Sequence, residues 1–275
     1  MSVSLPDRGE LHSLAGAVLM TRAAGDKCDA VERLRERWDN GELRAEAARP
    51  ARRIDDPGRP ARPQLVSHAQ LPRRGLGSLR GRLALAHALA HIEFNAINLA
   101  IDAVYRFREL PVAFYSDWLR VASEEAVHFN LLCDYLSGHQ CAYGDFAAHG
   151  GLWEAARRTA DDVVARMALV PRVLEARGLD VTPPLIEKLR KAGDASLVAA
   201  LQRIYTDEIA HVRIGNHWFR QLCTDRGEDP RAVFRELVTT HYAGRLRGPF
   251  NQQGRAEAGF SAADMRDLQE LSNSG

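Results

Sequence analysis

The sequence predicts an all-α protein built around four long helices paired as two hairpins, and three observations carry that expectation. Apolar residues recur at three- and four-residue intervals over long stretches, as in Leu83, Ala86, Ala90, Phe94, Ile97, Ile101 and Val104, which is the period of a helix with one buried face. No segment shows a convincing strand pattern. The pattern acid-Glu-x-x-His occurs twice, in Ser123-Glu124-Glu125-Ala126-Val127-His128 and in Thr206-Asp207-Glu208-Ile209-Ala210-His211. On a helix, positions i and i+3 share a face, so each copy presents a carboxylate and an imidazole in one direction.

Taken in order, residues 11–43 read as one or two short helices striped by Leu14, Ala17, Val18, Val31, Leu34 and Trp38. Residues 48–77 change composition sharply. Pro50, Pro57, Gly58, Pro60, Pro63 and Pro72 lie among arginines, which forbids a continuous helix and predicts an extended Pro/Arg-rich arm. Because Leu65, Val66 and Leu71 need cover, the arm is expected to pack across the main domain. Residues 78–109 form the first long helix and Pro111 marks a turn. The second carries Phe114, Trp118, Val121, Ala122, Leu132 and Leu136 and stops at Ser137-Gly138.

Residues 139–151 are a Gly-rich crossover, followed by a third helix over 152–177 with Gly178 as its stop. A turn over 179–184 and a short helix over 185–191 come next, and Asp194 is the N-cap of a fourth helix ending near Cys223. A helix over 230–242, a strap over 248–251 and a last helix over 261–271 complete the chain. The expected division is an N-terminal helical segment (1–47), the arm (48–77), a four-helix bundle (78–224) and a C-terminal helical extension (225–275).

Composition narrows the function classes. At 275 residues, 45% hydrophobic and 27% charged, the chain can bury a sizeable core. Lys plus Arg number 37 against 36 for Asp plus Glu, so no anionic partner is demanded and nucleic acid is not implied. The arginines of the arm (Arg52, Arg53, Arg59, Arg62, Arg73, Arg74) lack interleaved aromatics and read as solubilising charge. The first residues lack the pattern of a secretory signal, and no stretch reads as apolar for long enough to span a bilayer. Cys28, Cys133, Cys141 and Cys223 are scattered and form no C-x-x-C pair, which fits reduced thiols in the cytoplasm.

A carboxylate-bridged metal pair in a four-helix bundle takes one Glu from each of two helices and a Glu-x-x-His from each of the other two. The second and fourth helices supply the clips Glu125/His128 and Glu208/His211. The first supplies Glu93, the sole acid in its apolar middle. On the third, Glu175 competes with Glu154, Asp161 and Asp162, and spacing favours Glu175: Glu93 precedes Glu125 by 32 positions and Glu175 precedes Glu208 by 33. The chain thus reads as two copies of one unit. A crossover of roughly a dozen residues reaches ~40 Å, enough to join them.

These residues resemble the ferritin-like di-metal carboxylate superfamily. More narrowly, Pro57-Gly58-Arg59-Pro60, Leu71-Pro72-Arg73-Arg74, the run Ala90-His91-Ile92-Glu93-Phe94-Asn95-Ala96-Ile97 and Pro249-Phe250-Asn251 resemble the uncharacterised ferritin-like domain-of-unknown-function family 455. The resemblance implies a ferritin-like bundle, with the N-terminal helices, the arm and the C-terminal helices packed on it. It also implies that Glu124 and Asp207 bond the His of the opposite clip from outside the ligand set. Tyr205, one turn before Glu208, would lie near the metals, although such a residue is more often a core tyrosine.

Four carboxylates and two imidazoles suit two iron ions, or iron with manganese. The reading that follows is an O2-activating oxidoreductase or hydroxylase acting on a small organic substrate, with an electron-donor reductase as partner. An iron-handling ferroxidase or peroxide-scavenging protein is one alternative, and a structural or partner-binding bundle another. His87, His91, His139, His149 and His217 read as surface or packed residues. Phe94, Phe129 and Ile204 read as core in preference to a pocket.

Overall fold

The computed structural model describes residues 9–46, 50–71, 75–242 and 246–274. The N-terminal stretch 1–8 and the motif residues Pro72, Arg73 and Arg74 lie outside them. The fold is all-α, with helices α1 (Leu11–Leu19), α2 (Ala24–Asp39), α3 (Leu79–Arg106), α4 (Val112–Ser137), α5 (Gly151–Arg158), α6 (Val163–Leu169), α7 (Ala176–Lys191), α8 (Ala195–Asp225), α9 (Pro230–His241), α10 (Gln252–Glu257) and α11 (Ala262–Ser274). A π-helical turn, Val170–Glu175, joins α6 to α7. One departure from a purely helical reading is a two-residue parallel pairing of β1 (Gly9–Glu10) with β2 (Leu43–Arg44). The chain divides into two compact units, Met1–Trp153 and Glu154–Gly275.

In the first unit, α3 begins where the Ser78 hydroxyl accepts the Gly81 amide at 3.1 Å, satisfying a donor that the helix leaves open. It packs on α4 after the turn at 107–111, and also on α1, while α2 packs on α4. The close of α4 at Gly138 is as expected. With neighbours on two sides, α3 is apolar over most of its circumference. By length and composition it is apolar enough to cross a membrane, contrary to the expectation from sequence. Inside this fold, 72% of that apolar window is buried.

The arm finds the cover its apolar residues require. Gly58 donates to the Leu19 carbonyl at 2.9 Å, and a Cβ there would sit 2.2 Å from the Met20 carbonyl oxygen, so the Pro57-Gly58 step admits no side chain. Further along, Leu65 forms a parallel bridge with Ala148, in which Val66 donates to the Ala148 carbonyl at 2.8 Å. Lys27 of α2 ties arm and helices together. Fully buried, its ammonium donates to the carbonyls of Leu19 (3.0 Å) and Gly58 (2.7 Å) and to Asn98 Oδ1 on α3. Burial pulls its pKa down to about 7, while three acceptors match the three protons of the charged form.

In the second unit the third helix differs from expectation. It is broken after α5, and α6 starts afresh where Asp162 accepts the Val164 amide at 2.9 Å. Gly178 does not stop α7, which continues through Pro183 and Pro184 to Lys191. A helical glycine costs only about 1 kcal/mol relative to Ala. The burial of Ala176, Leu179, Ile186 and Leu189 on a helix packed against α8 outweighs it. Asp194 caps α8 as expected, accepting the Leu197 amide at 3.2 Å. The C-terminal strap and α10 dock on α7 through Asp180, which accepts the Asn251 amide (2.9 Å) and both Arg255 Nε (2.9 Å) and Nη2 (2.8 Å).

Candidate metal centre

In the first unit, α3 and α4 bring Glu93, Glu125 and His128 together in the interior. Glu93 is 5% exposed, and Glu125 and His128 are fully buried. One atom receives both acids: His128 Nδ1 lies 3.3 Å from Glu125 Oε2 and 3.5 Å from Glu93 Oε2. Burial alone would lower the imidazole pKa, but the bonded carboxylates of Glu125 and then Glu93 outweigh it and carry it up to about 11. Two buried carboxylates around one nitrogen demand a positive charge among them. A proton on Nδ1 can supply it, and so can a metal ion that takes the same lone pair.

Neighbouring side chains fix this geometry. Ser123, two residues before Glu125, donates to Glu32 Oε2 at 2.6 Å and accepts from Arg35 Nη1 at 3.0 Å, both on α2. Phe94 and Phe129, each next in sequence to a cluster residue, pack at 5.6 Å between ring centroids, and the Lys27 ammonium lies 5.0 Å over the Phe94 ring. Phe94, Phe129 and, in the second unit, Ile204 are buried core residues, as read from the sequence.

The second unit carries the other clip on α8, with His211 Nδ1 3.8 Å from Glu208 Oε1 and His211 fully buried. Glu175 closes the π-helical turn, which packs on α8. Its three rivals have other employment. Glu154 is half-exposed and pairs with Arg157 and Arg158, Asp161 is exposed, and Asp162 caps α6 and pairs with Arg226 at 2.7 Å. Asp207 accepts Arg203 Nε at 2.7 Å. The Tyr205 hydroxyl accepts Asn251 Nδ2 at 2.9 Å, so it ties α8 to the C-terminal strap. Glu124 is half-buried.

The π-helical turn itself was not legible in the sequence, although such turns cluster at functional sites and Pro171 is a signal for it. The close packing behind it rests on Gly215, one turn beyond His211, where an added Cβ would lie 2.1 Å from Pro171 Cβ. Gly215→Ala is therefore expected to push the turn off α8 and cost about 1–3 kcal/mol, read as a lowered urea midpoint. An unchanged midpoint would show that the contact carries no such constraint.

Glu125, His128, Glu208 and His211 are the groups among the described residues able to hold a metal ion. Of the histidines set aside from the sequence, His87 and His91 prove buried in the packing around Tyr143, and His139 and His217 are exposed.

The comparisons with known proteins carry no activity. A family model described as a protein of unknown function (DUF455) matches residues 20–266. An uncharacterized protein of Haemophilus influenzae is 47% identical over 219 residues, covering 77% of this chain and 76% of its own. No solved structure matches.

Proposed function

The chain belongs to the DUF455 family, and from that premise we propose that it is a di-metal carboxylate protein of ferritin-like kind, acting as an O2-activating oxidoreductase or hydroxylase on a small organic substrate. The observation that carries the reading is the meeting of two buried carboxylates, Glu93 and Glu125, on a single imidazole nitrogen. The donor set of carboxylate oxygen and imidazole fits iron, or iron with manganese.

In this reading Glu93, Glu125, His128, Glu175, Glu208 and His211 would hold the two ions. When bound, such a pair supplies O2 binding and the electrons for its reduction. Everything else falls to the chain. Glu32 and Arg35 hold the α4 clip through Ser123, Phe94 and Phe129 keep water from the carboxylates, and Glu124 and Asp207 orient the imidazoles. The four cysteines are free thiols, in keeping with a cytoplasmic protein that draws electrons from a reductase.

The test is metal analysis of the purified protein, then anaerobic ferrous loading and exposure to O2 followed by absorbance. Two irons per chain and an O2-dependent absorbance change are expected. Protein that takes up no metal would overturn the reading, and iron oxidation with no organic product under any reductant would replace it with iron handling.

A further inference from the structure

We propose that the first unit carries a small-molecule site, for an amphipathic organic anion, on the face of α3 turned away from Glu93. A cavity of about 450 Å³ opens there between α3 and the 145–149 loop, within the roughly 300–1,000 Å³ of small-molecule sites. Its α3 wall is built by Arg80, Ala84, Ala88 and Ile92, four residues apart, and Phe146 and Leu152 face them. Each helical residue advances about 100°, so Ala84, nine positions before Glu93, lies about 180° round the helix from it. A ligand in this cavity is thus separate from the carboxylate cluster, and the site stands or falls independently of the metal reading.

Its charge is one-sided where it matters. Arg80 is exposed at the cavity wall and makes no ion pair or hydrogen bond among the described residues. The wall's acid, Asp145, is turned to its own loop, where Oδ2 accepts the Ala142 amide at 2.8 Å. His91 is committed on both nitrogens, Nδ1 with the Tyr143 hydroxyl at 2.8 Å and Nε2 with the His149 carbonyl at 3.2 Å, and burial holds it neutral, with its pKa lowered to about 4. Among the described residues of the wall, the uncommitted cation is Arg80. Ala84 and Ala88 keep the wall flat for an apolar body, Ile92, Phe146 and Leu152 cover that body, and the guanidinium meets a carboxylate or sulfonate at one end.

Two dyes of the same shape separate the contributions in the full-length protein: anionic anilinonaphthalene sulfonate and neutral phenylnaphthylamine, titrated by fluorescence. Wild type is expected to bind both saturably at one site per chain. Ala88→Trp, at an exposed position where folding is checked by circular dichroism, fills the cavity and should abolish both. Arg80→Gln should weaken the sulfonate about tenfold and leave the neutral dye unchanged. No saturable binding by wild type, retention of either dye by folded Ala88→Trp, or equal affinity of Arg80→Gln for the sulfonate would overturn the site.

Discussion

Glu125→Gln is expected to abolish two-iron loading while leaving the helices in place. The substitution keeps the volume of a fully buried side chain and removes the charge that, with Glu93, makes the surroundings of His128 Nδ1 favour a cation. A neutral amide is a far weaker metal ligand than a carboxylate. Loss of an outer partner of a ligand costs roughly 10–100-fold in metal affinity, and loss of a proposed ligand itself should exceed that. His211→Ala tests the clip on α8 and should fail likewise. Circular dichroism guards against a trivial loss by unfolding, and Asp161→Asn, at an exposed rival acid, should load normally. Two irons retained in folded Glu125→Gln would end the assignment of this residue as a ligand.

What the sequence reveals, and what it hides, follows from how local each signal is. Helices α3, α4 and α8 are legible because period, cap and stop agree: Ser78 and Asp194 cap by their own side chains, and Gly138 closes α4. The meeting of Glu93 with the α4 clip is legible for the same reason, since a short hairpin sets both at one level. The third helix is not. Gly178, Pro183 and Pro184 read locally as a stop and a turn, yet packing of α7 on α8 carries the helix through all three. No local pattern marks Lys27 and Arg172 as interior, yet they are fully or almost fully buried. Their partners Asn98 and Asp264 lie 71 and 92 residues away, beyond any local pattern. The cavity beside Arg80 is hidden likewise, because its far wall comes from a loop with no periodicity.

Arg172→Met carries the largest stability effect expected of a single change. The guanidinium is 1% exposed. It donates to Asn216 Oδ1 at 2.7 Å and Asp264 Oδ1 at 3.0 Å, and its carbon lies 4.6, 4.6 and 5.1 Å from the ring centres of Phe219, Phe234 and Phe260. It therefore pins the π-helical turn to α8 and to α11 at once. Methionine fills the space between the rings but strands a buried carboxylate, and breaking a buried pair costs about 3–5 kcal/mol. Asp264 keeps Arg220 Nη2 at 2.8 Å and the Ser261 hydroxyl, which places the cost near the lower end.

The acid limb checks the mechanism. Burial would raise the Asp264 pKa, but Ser261 and then Arg172 outweigh it and hold it at about 2, below the ordinary ~3.9 of an unfolded aspartate. A depressed folded pKa contributes stability that is present above pH ~4 and lost as pH falls through about 2. The deficit of Arg172→Met should accordingly be constant from about pH 7 to 4 and shrink below, as protonation removes the stranded charge in the variant and the ion pair in wild type. Urea midpoints measured along that range give the result directly, and adding Asp264→Asn should recover part of the loss at pH 7. A deficit that does not change down to pH 2, or no recovery in the double variant, would mean that ring packing and not the ion pair holds the turn.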